Sequence, residues 1–302
     1  LLEYGFTNSK SDPSLFVYSQ ESTIIYFLVY VDDLLLTGND TMFLTKFRKA
    51  LAAKFSLKDL GAPTHFLGNE IVPTQYGLFI TKHHYIRDLL HSKNMHEAKP
   101  VTTPQATTCD LSTTGDASTC DITIYHKLVG SLQYLSLTRP DIAFSVNKLS
   151  QYMQAPTDFH MQAAKHILRY LKGTIDFGLH LRKSNSLQLH AFCDSDWAGD
   201  SRDMKSTGAY IVYLSSNPIS WSCKKQTTVA KSSTEAEYHT IASTVTEVLW
   251  LQDLFKELHV QLPCPPIVYS DNMCNLSMCK SSFSFSDETS CNRLPFCSRS
   301  RG

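Results

Sequence analysis

The chain has 302 residues, of which 42% are apolar and 19% charged, and its 28 cationic and 28 anionic side chains give a net charge of zero. This composition indicates a soluble globular protein of two or three domains, and it neither supports nor excludes a nucleic-acid partner. Nine cysteines without a CxxC pair argue against a disulfide framework and a zinc module, and favour a reducing compartment, the cytosol or the nucleus. No apolar run reaches the roughly 18 residues of a membrane helix.

The first informative stretch is a pair of adjacent acids between two apolar runs. Residues 24–31 are apolar, Asp32 and Asp33 follow, and residues 34–36 are apolar again. Two polar residues between short apolar runs predict a β-hairpin, although Asp-Asp lacks the glycine that tight turns prefer. Two interpretations stay open: a solvated turn, or a site where the carboxylates bind Mg²⁺ for phosphoryl or nucleotidyl transfer.

The residues after this hairpin predict a helix, two strands and a second helix. Asp40 is placed to cap the first helix. Its apolar stripe has helical spacing and comprises Phe43, Phe47, Leu51 and Phe55. Strands are predicted over residues 65–72 and 78–81. The second helix is predicted over residues 82–95, with a buried side formed by Tyr85, Ile86, Leu89 and Leu90.

The middle of the chain begins with a region that has no apolar period. Residues 100–121 are rich in Thr, Ser, Ala, Gly and Asp, and predict a linker or a long surface loop. Helices are predicted over residues 122–172, where Pro140 and Pro156 are placed to end or start them. The inward side of the last helix is predicted to comprise Ala163, Ile167, Tyr170 and Leu171. A short strand is expected over residues 175–181, and a separate strand-rich unit begins near residue 184.

A second set of acids belongs to a predicted series of three strands, a helix and a fourth strand. The strands are predicted over residues 187–194, 208–214, 218–222 and 266–271. The first strand ends in Asp194, which alternation places on the face opposite Leu189 and Ala191. The fourth strand ends in Asp271.

The long helix of this series carries two acids with different predicted roles. Ser232 and Glu235 have the spacing of a capping box, which gives Glu235 a structural role at the helix start. Glu237 precedes Ile241 and Val245 by about one and two turns, on the stripe that faces the core. A carboxylate in that position needs a partner, and a metal ion is one candidate.

Two other interpretations of the acids near residue 194 were considered. Asp196 and Asp200 suggest a calcium loop, but Ala198 and Lys205 stand at loop positions five and twelve, so the EF-hand pattern fails. A phosphatase-type DxD nucleophile stays open in principle, although no other motif in the chain supports it.

Several motifs together resemble the Pol polyprotein of copia-type LTR retrotransposons. YVDD at residues 30–33 resembles the palm motif of reverse transcriptases, and it is surrounded by GFTNSKSDPSLF, FSLKDLGAPTHFLGNEI and SLQYLSLTRPDI. Further along, HAFCDSDWAGD, KSTGAYIVYL, PISWSCKKQ, SSTEAEY and VYSDN resemble the ribonuclease H of the same family. The likeness runs from Leu1 to about Lys280.

The resemblance implies an α+β or α/β fold: a partial palm and thumb, followed by a ribonuclease H-like mixed sheet with flanking helices. Four regions are implied. They are a truncated reverse-transcriptase palm and thumb at 1–99, a linker and helical connection at 100–183, an incomplete ribonuclease H-like unit at 184–280, and a divergent, disordered tail at 281–302.

The resemblance also implies the chemistry of both acid sets. It assigns ribonuclease H catalysis and metal binding to Asp194, Glu237 and Asp271, and the catalysis and metal binding of the reverse-transcriptase motif to Asp32 and Asp33. Mg²⁺ or Mn²⁺ is the implied cofactor, because two such ions activate water and stabilise a leaving oxygen. An RNA/DNA hybrid or an RNA template is the implied partner, and no membrane is expected.

Departures from the family pattern lead us to expect a decayed fragment. The upstream acid that polymerase chemistry requires is not found before Asp32, so polymerase activity is expected to be absent. From residue 280 the sequence fits the family only when it is read one nucleotide downstream, which indicates a frameshift. The fold would then lose its fifth strand and last helix, and the fourth carboxylate would fall near Arg293.

The sequence therefore predicts a retrotransposon-derived Pol remnant related to RNA-directed DNA polymerase and to a Mg²⁺-dependent ribonuclease H. Any residual cleavage of RNA/DNA hybrids is expected to be weak and to depend on Asp194, Glu237 and Asp271. The alternative is a remnant that binds nucleic acid without catalysis, or a pseudogene product without activity.

Overall fold

The computed structural model describes residues 1–31, 33–106, 111, 120–184, 186–200 and 202–271, together with the backbone of residues 284–287. These residues form a mixed α+β structure with three sheets. None of the described helices combines the length and the apolar character that a membrane span requires.

The strands are β1 Thr7–Asn8, β2 Leu15–Gln20, β3 Thr23–Tyr30, β4 Asp33–Gly38, β5 His65–Phe66, β6 Asn69–Thr74, β7 Gly77–Thr81, β8 Leu179–Arg182, β9 Leu189–Asp196, β10 Thr207–Leu214, β11 Asn217–Lys225, β12 Ile267–Ser270 and β13 Ser284–Asp287. The α-helices are α1 Thr41–Lys54, α2 His83–Ser92, α3 Ile122–Ser136, α4 Ala143–Ser150, α5 Asp158–Gly173 and α6 Ser233–Glu257. Short 3-10 helices occupy Leu2–Tyr4 and Pro140–Ile142.

The first sheet has the order β1-β2-β3-β4 with antiparallel neighbours, and α1 packs against it. Its buried core comprises Phe6, Ile25, Phe27 and Phe47. The predicted cap is confirmed, because Asp40 accepts the amides of the second and third helical residues at 2.9 and 3.0 Å. The predicted stripe is wrong at Phe55, which is extended and 60% exposed because α1 ends one residue earlier.

The second sheet has the order β5-β6-β7-β8, and it joins two distant parts of the chain. β8 pairs with β7 from Gly77↔Arg182 to Ile80↔Leu179. The predicted strand over 175–181 begins later than expected because residues 174–177 form a turn, in which Phe177 donates its amide to the Thr174 carbonyl at 3.0 Å.

A helical core lies beside this second sheet. Helices α2 to α5 bury a cluster that includes Ile86, Leu90, Tyr125, Leu132, Leu149 and Leu168. On α5 the predicted inward Ile167, Tyr170 and Leu171 are buried, but Ala164 replaces the predicted Ala163, which is only partly buried. The second sheet and this core therefore combine residues from both sides of the predicted boundary at 99. The predicted linker lies largely outside the described residues, at 107–110 and 112–119.

The third sheet has the order β11-β10-β9-β12-β13. β9, β10 and β11 are antiparallel neighbours, whereas β12 is parallel to β9. α6 packs on one face, where the buried cluster comprises Leu189, Ala191, Cys193, Val212, Ile241, Val248, Leu251 and Val268. The predicted series of three strands, a helix and a fourth strand is confirmed here.

The predicted loss of a fifth strand is wrong. β13 pairs in parallel with β12, from Ile267↔Ser284 to Ser270↔Asp287. The segment FSFSD alternates with the period of a strand, and pairing satisfies backbone groups that an open edge of β12 would leave unpaired. The expectation of disorder is thus wrong for residues 284–287. The rest of the predicted tail, including the position near Arg293, lies outside the described residues.

Candidate functional site

Of the first acid pair, Asp33 lies at the tip of the β3–β4 hairpin, in the last cross-strand pair, Tyr30↔Asp33. Asp32 lies outside the described residues. Val31 has a φ of 48° and is 83% exposed. β-branched residues rarely adopt that conformation, and strained backbone of this kind costs on the order of 1–3 kcal/mol. A solvated turn would favour glycine or asparagine there.

Asp33 is exposed at the start of β4, and its carboxylate is already engaged. Its Oδ2 atom accepts the backbone amide of Leu67 at 3.3 Å, which ties the hairpin tip to the turn between β5 and β6. The structure therefore supports the predicted hairpin. Metal binding by Asp32 and Asp33 stays a prediction.

Asp194 lies near the end of β9, and alternation along that strand sets its direction. Leu189, Ala191 and Cys193 are buried beneath α6, whereas Asp194 is exposed. The Oδ1 atom of Asp194 accepts the amide of Ser195 at 2.7 Å. The carboxylate is thus held at the strand end with open access to solvent.

The parallel pairing of β12 with β9 brings a second acid to the same strand end. The register runs Ile267↔His190 to Tyr269↔Phe192, and the rings of Tyr269 and Phe192 stack at 4.9 Å. Continuing that register by two residues places Asp271 level with Asp194. Asp271 is exposed like Asp194, so the two acids end adjacent strands of the sheet.

The start of α6 lies over the same end of the sheet. Ser232 Oγ accepts the amide of Glu235 at 3.2 Å, and Glu235 Oε2 accepts the amide of Lys231 at 2.7 Å, which confirms the predicted capping role. Gln226 connects this turn to β9, because its amide nitrogen lies 2.7 Å from the Ala236 carbonyl and 3.4 Å from Ser195 Oγ.

Glu237 follows Ala236 in this first part of α6 and is half-buried. Gly208 shows which sheet face the helix covers, because a Cβ atom on Gly208 would meet the Thr240 side chain. Gly208 pairs with Ser195, so that pair faces α6, and Asp194 faces the other side of the sheet. The ends of β9, β12 and α6 therefore meet without bringing Asp194 and Glu237 to one face.

The fit of these acids to a divalent ion follows from that geometry. Carboxylate oxygens are the ligands that Mg²⁺ accepts, and Asp194 and Asp271 share a strand end. However, the part of the chain that the structure describes holds no group of three or more His, Cys, Asp or Glu side chains arranged around one ion position. The residues fit the ion by donor chemistry and by their placement at element ends.

The loop after β9 is held by contacts that the sequence did not reveal. The indole nitrogen of Trp197 donates to the Ala230 carbonyl at 3.1 Å, and Lys148 Nζ donates to the Gly199 carbonyl at 3.3 Å. Hydrogen bonds from Arg202, and then from Lys225, hold the pKa of the Asp200 carboxyl well below its usual range. The sequence indicated this loop only through the segment DSDWAGD, in which Trp197 directly follows Asp196.

The chain is similar to known proteins over most of its length. A family model described as "Reverse transcriptase (RNA-dependent DNA polymerase)" matches residues 1–107. The retrovirus-related Pol polyprotein from transposon RE2 of Arabidopsis thaliana is 50% identical over 279 residues, which cover 92% of this chain and 19% of the polyprotein. The chain thus spans about a fifth of the length of the Pol polyproteins that it matches.

Two shorter proteins are matched over most of their length. An uncharacterized mitochondrial protein of Arabidopsis thaliana is 42% identical over 226 residues, which cover 75% of this chain and 94% of that protein. A putative transposon Ty5-1 protein of Saccharomyces cerevisiae is 32% identical over 251 residues, which cover 82% of each.

Proposed function

Since the chain belongs to the Pol polyprotein family of copia-type LTR retrotransposons, we propose that it joins the end of a reverse transcriptase to a ribonuclease H-like unit. In this proposal, residues 184–280 form the unit that cleaves the RNA strand of an RNA/DNA hybrid. The observation that carries the proposal is the parallel pairing of β12 with β9, which brings Asp271 level with Asp194. Glu237 lies on the helix that begins over the same end of the sheet.

Asp194, Glu237 and Asp271 are the residues that would hold Mg²⁺ or Mn²⁺. When bound, such ions supply Lewis acidity that favours hydroxide formation and stabilises the leaving 3′ oxygen. The chain itself contributes the placement of the acids. The Ser195 amide holds the Asp194 carboxylate, and Gln226 fixes the first turn of α6 against β9. Discrimination of RNA from DNA would rest on contacts to 2′-hydroxyl groups.

Residues 1–99 are proposed to be palm and thumb, with Asp32 and Asp33 descended from a metal-binding motif. The strained, exposed turn at Val31 supports this interpretation over that of an ordinary solvated turn. The 302 residues by themselves are proposed to lack polymerase activity. Nucleotidyl transfer through two ions requires an acid from a further strand, and the acids before Asp32, which are Glu3, Asp12 and Glu21, do not stand in a motif that resembles it.

A second candidate is a hybrid-binding remnant without catalysis. The observation that favours it is the pairing of Gly208 with Ser195, which turns Asp194 away from the face covered by α6. In that case the fold would still present a strand end to nucleic acid, but Asp194 and Glu237 would not share an ion.

The test of the proposed function is cleavage of a 5′-labelled RNA/DNA hybrid by the purified chain, with and without Mg²⁺. We expect Mg²⁺-dependent cleavage that falls to background in Asp194→Asn, Glu237→Gln and Asp271→Asn. Asp253→Asn is the matched control, because Asp253 is an exposed acid on α6 whose carboxylate pairs with Lys256 at 2.7 Å, away from the proposed site.

The outcomes separate the two candidates. Cleavage that persists in Asp194→Asn would contradict the assignment, since it would come from another site or from a contaminant. Binding of the hybrid without cleavage at any Mg²⁺ concentration would support the remnant without catalysis.

A further inference from the structure

Trp197 combines an exposed ring with a fixed orientation. It is 47% exposed, although a tryptophan side chain gains more from burial than most residues. Its Nε1 atom donates to the Ala230 carbonyl at 3.1 Å, so the edge of the indole is bound to the protein. The ring follows Asp196 directly at the end of β9, and Ala230 lies just before the helix that carries Glu237. A held aromatic face therefore stands beside the proposed catalytic end of the sheet.

Two lysines near this ring have no ion-pair partner among the described residues. Lys231, next to Ala230, is exposed and uses its amide, not its side chain, to bind Glu235. Lys148 reaches the Gly199 carbonyl, two residues after Trp197. By contrast, Lys225 is neutralised by Asp200 and Asp203, at 2.6 and 2.9 Å. Lys148 Nζ also lies 5.4 Å from the centre of the Phe144 ring, and an ammonium group has three N–H donors, so both lysines can still donate to an anionic ligand.

We propose that Trp197, Lys231 and Lys148 bind a nucleic-acid strand as it passes the Asp194 end of the sheet. A base or sugar would stack on the indole, and the ammonium groups would contact phosphates on either side. An aromatic platform flanked by cations is a recurring arrangement for binding nucleic-acid strands. This inference rests on the proposed function, since it names residues that would deliver the hybrid to that site.

Trp250 provides an internal comparison for Trp197. It is 42% exposed, and its Nε1 atom donates to the Ser11 carbonyl at 3.0 Å, so its exposure and its anchoring are similar. Acids stand at similar sequence distances from both rings, so negative charge alone does not distinguish them. The cations do: Lys231 follows Ala230, which binds the Trp197 ring, and Lys148 reaches Gly199, whereas Lys256, six residues after Trp250, is paired with Asp253 at 2.7 Å.

The experiment measures binding of a fluorescein-labelled RNA/DNA hybrid by anisotropy in EDTA, so that binding is read without cleavage. Trp197→Ala is expected to raise Kd by about 5- to 100-fold, the range of one stacking contact. Trp197→Phe keeps a ring and is expected to retain most of the affinity. Trp250→Ala is the matched control and is expected to leave Kd unchanged.

A lysine substitution tests the charge contribution separately. Lys231→Gln is expected to lower the slope of log affinity against log salt by about one, because one phosphate contact is lost. Equal Kd values for Trp197→Ala and the unchanged chain would overturn the proposal. Equal losses in Trp197→Ala and Trp250→Ala would overturn it as well.

If Trp197→Ala has a lowered Tm, acrylamide quenching of tryptophan fluorescence provides a test that does not need this variant. The hybrid should shield the fluorescence of Trp250→Phe, which retains Trp197, and should not shield that of Trp197→Phe. The reverse pattern would overturn the proposal. Hybrid binding that depends on Trp197, in a chain that never cleaves, would retain this inference and reject the catalytic proposal. Cleavage that persists in Trp197→Ala with an unchanged Kd would retain the catalytic proposal and reject this inference.

Discussion

The two acid regions of the molecule are positioned by different amounts of structure. Asp32 and Asp33 are neighbours in sequence, and Asp33 lies at the tip of a hairpin beside Val31, which is strained and largely exposed. Asp194 and Asp271 are far apart in sequence, and they are brought level by the pairing of β12 with β9 over the core beneath α6. The first region depends on one turn, whereas the second depends on a whole sheet.

This difference shows what each region needs in order to function. A hairpin tip can present carboxylates but cannot by itself surround an ion, and Asp33 is also held by the Leu67 amide. The third sheet supplies two strand ends and a helix start at one place, held by Gln226. Activity is therefore expected from the second region and not from the first.

The largest expected contrast is between polymerase and nuclease assays of the same protein. Primer extension on an RNA template by the 302-residue chain should give no product above background, because no acid before Asp32 stands in the motif that supplies the third carboxylate. Extension that disappears in Asp33→Asn would contradict this expectation, since it would show that the hairpin alone is sufficient.

Two leucine substitutions, one in each acid region, compare how strongly packing in each region contributes to the free energy of unfolding. Leu189 on β9 is fully buried, and Leu189→Ala should lower the free energy of unfolding by about 2–5 kcal/mol. Leu34 on β4 is 39% exposed, and Leu34→Ala should cost less than about 1 kcal/mol. Chemical denaturation measures both. Equal costs would show that the two regions are packed alike.

A smaller effect than that of Leu189→Ala is expected from the loop beside Asp194. The Asp200 side chain is only 9% exposed and binds Arg202 and Lys225, so Asp200→Asn should cost about 1–3 kcal/mol at neutral pH. Hydrogen bonds from Arg202, and then from Lys225, lower the folded-state pKa of Asp200, so its contribution is present above the unfolded pKa of about 3.9. It is lost as pH falls from there toward the folded pKa.

Thermal melts between pH 7 and acid conditions test that effect. The difference between the unchanged chain and Asp200→Asn should shrink as the pH falls below about 4. Asp253→Asn is the control, because its exposed pair with Lys256 is worth little. A difference that is independent of pH would contradict the assignment of the effect to the Asp200 charge.

Local patterns in the sequence predicted much of the third sheet and its helix. Alternation identified the buried face of β9, and the spacing of Ser232 and Glu235 identified the start of α6. These features depend on residues that are close together in the sequence, so the sequence alone predicts them. The prediction that Phe55 belongs to the buried stripe was wrong because the apolar spacing in the sequence continues past Lys54, where α1 ends.

Contacts between distant residues were not accessible from the sequence. Nothing local shows that β8 pairs with β7, or that Gln226 connects Ser195 to Ala236. The relative direction of Asp194 and α6 likewise depends on which face of the sheet the helix covers, which the packing of Leu189 and Ala191 against Ile241 reveals.

The most direct test of the central claim is Mn²⁺ titration of a deuterated, ¹⁵N-labelled chain, followed by paramagnetic broadening of amide signals. If the second region holds the ion, the amides of Asp194, Glu237 and Asp271 should broaden together, at lower Mn²⁺ concentrations than the amides of Asp33 and Leu67. Broadening that begins at Asp33, or that never includes all three acids of the second region, would contradict the claim.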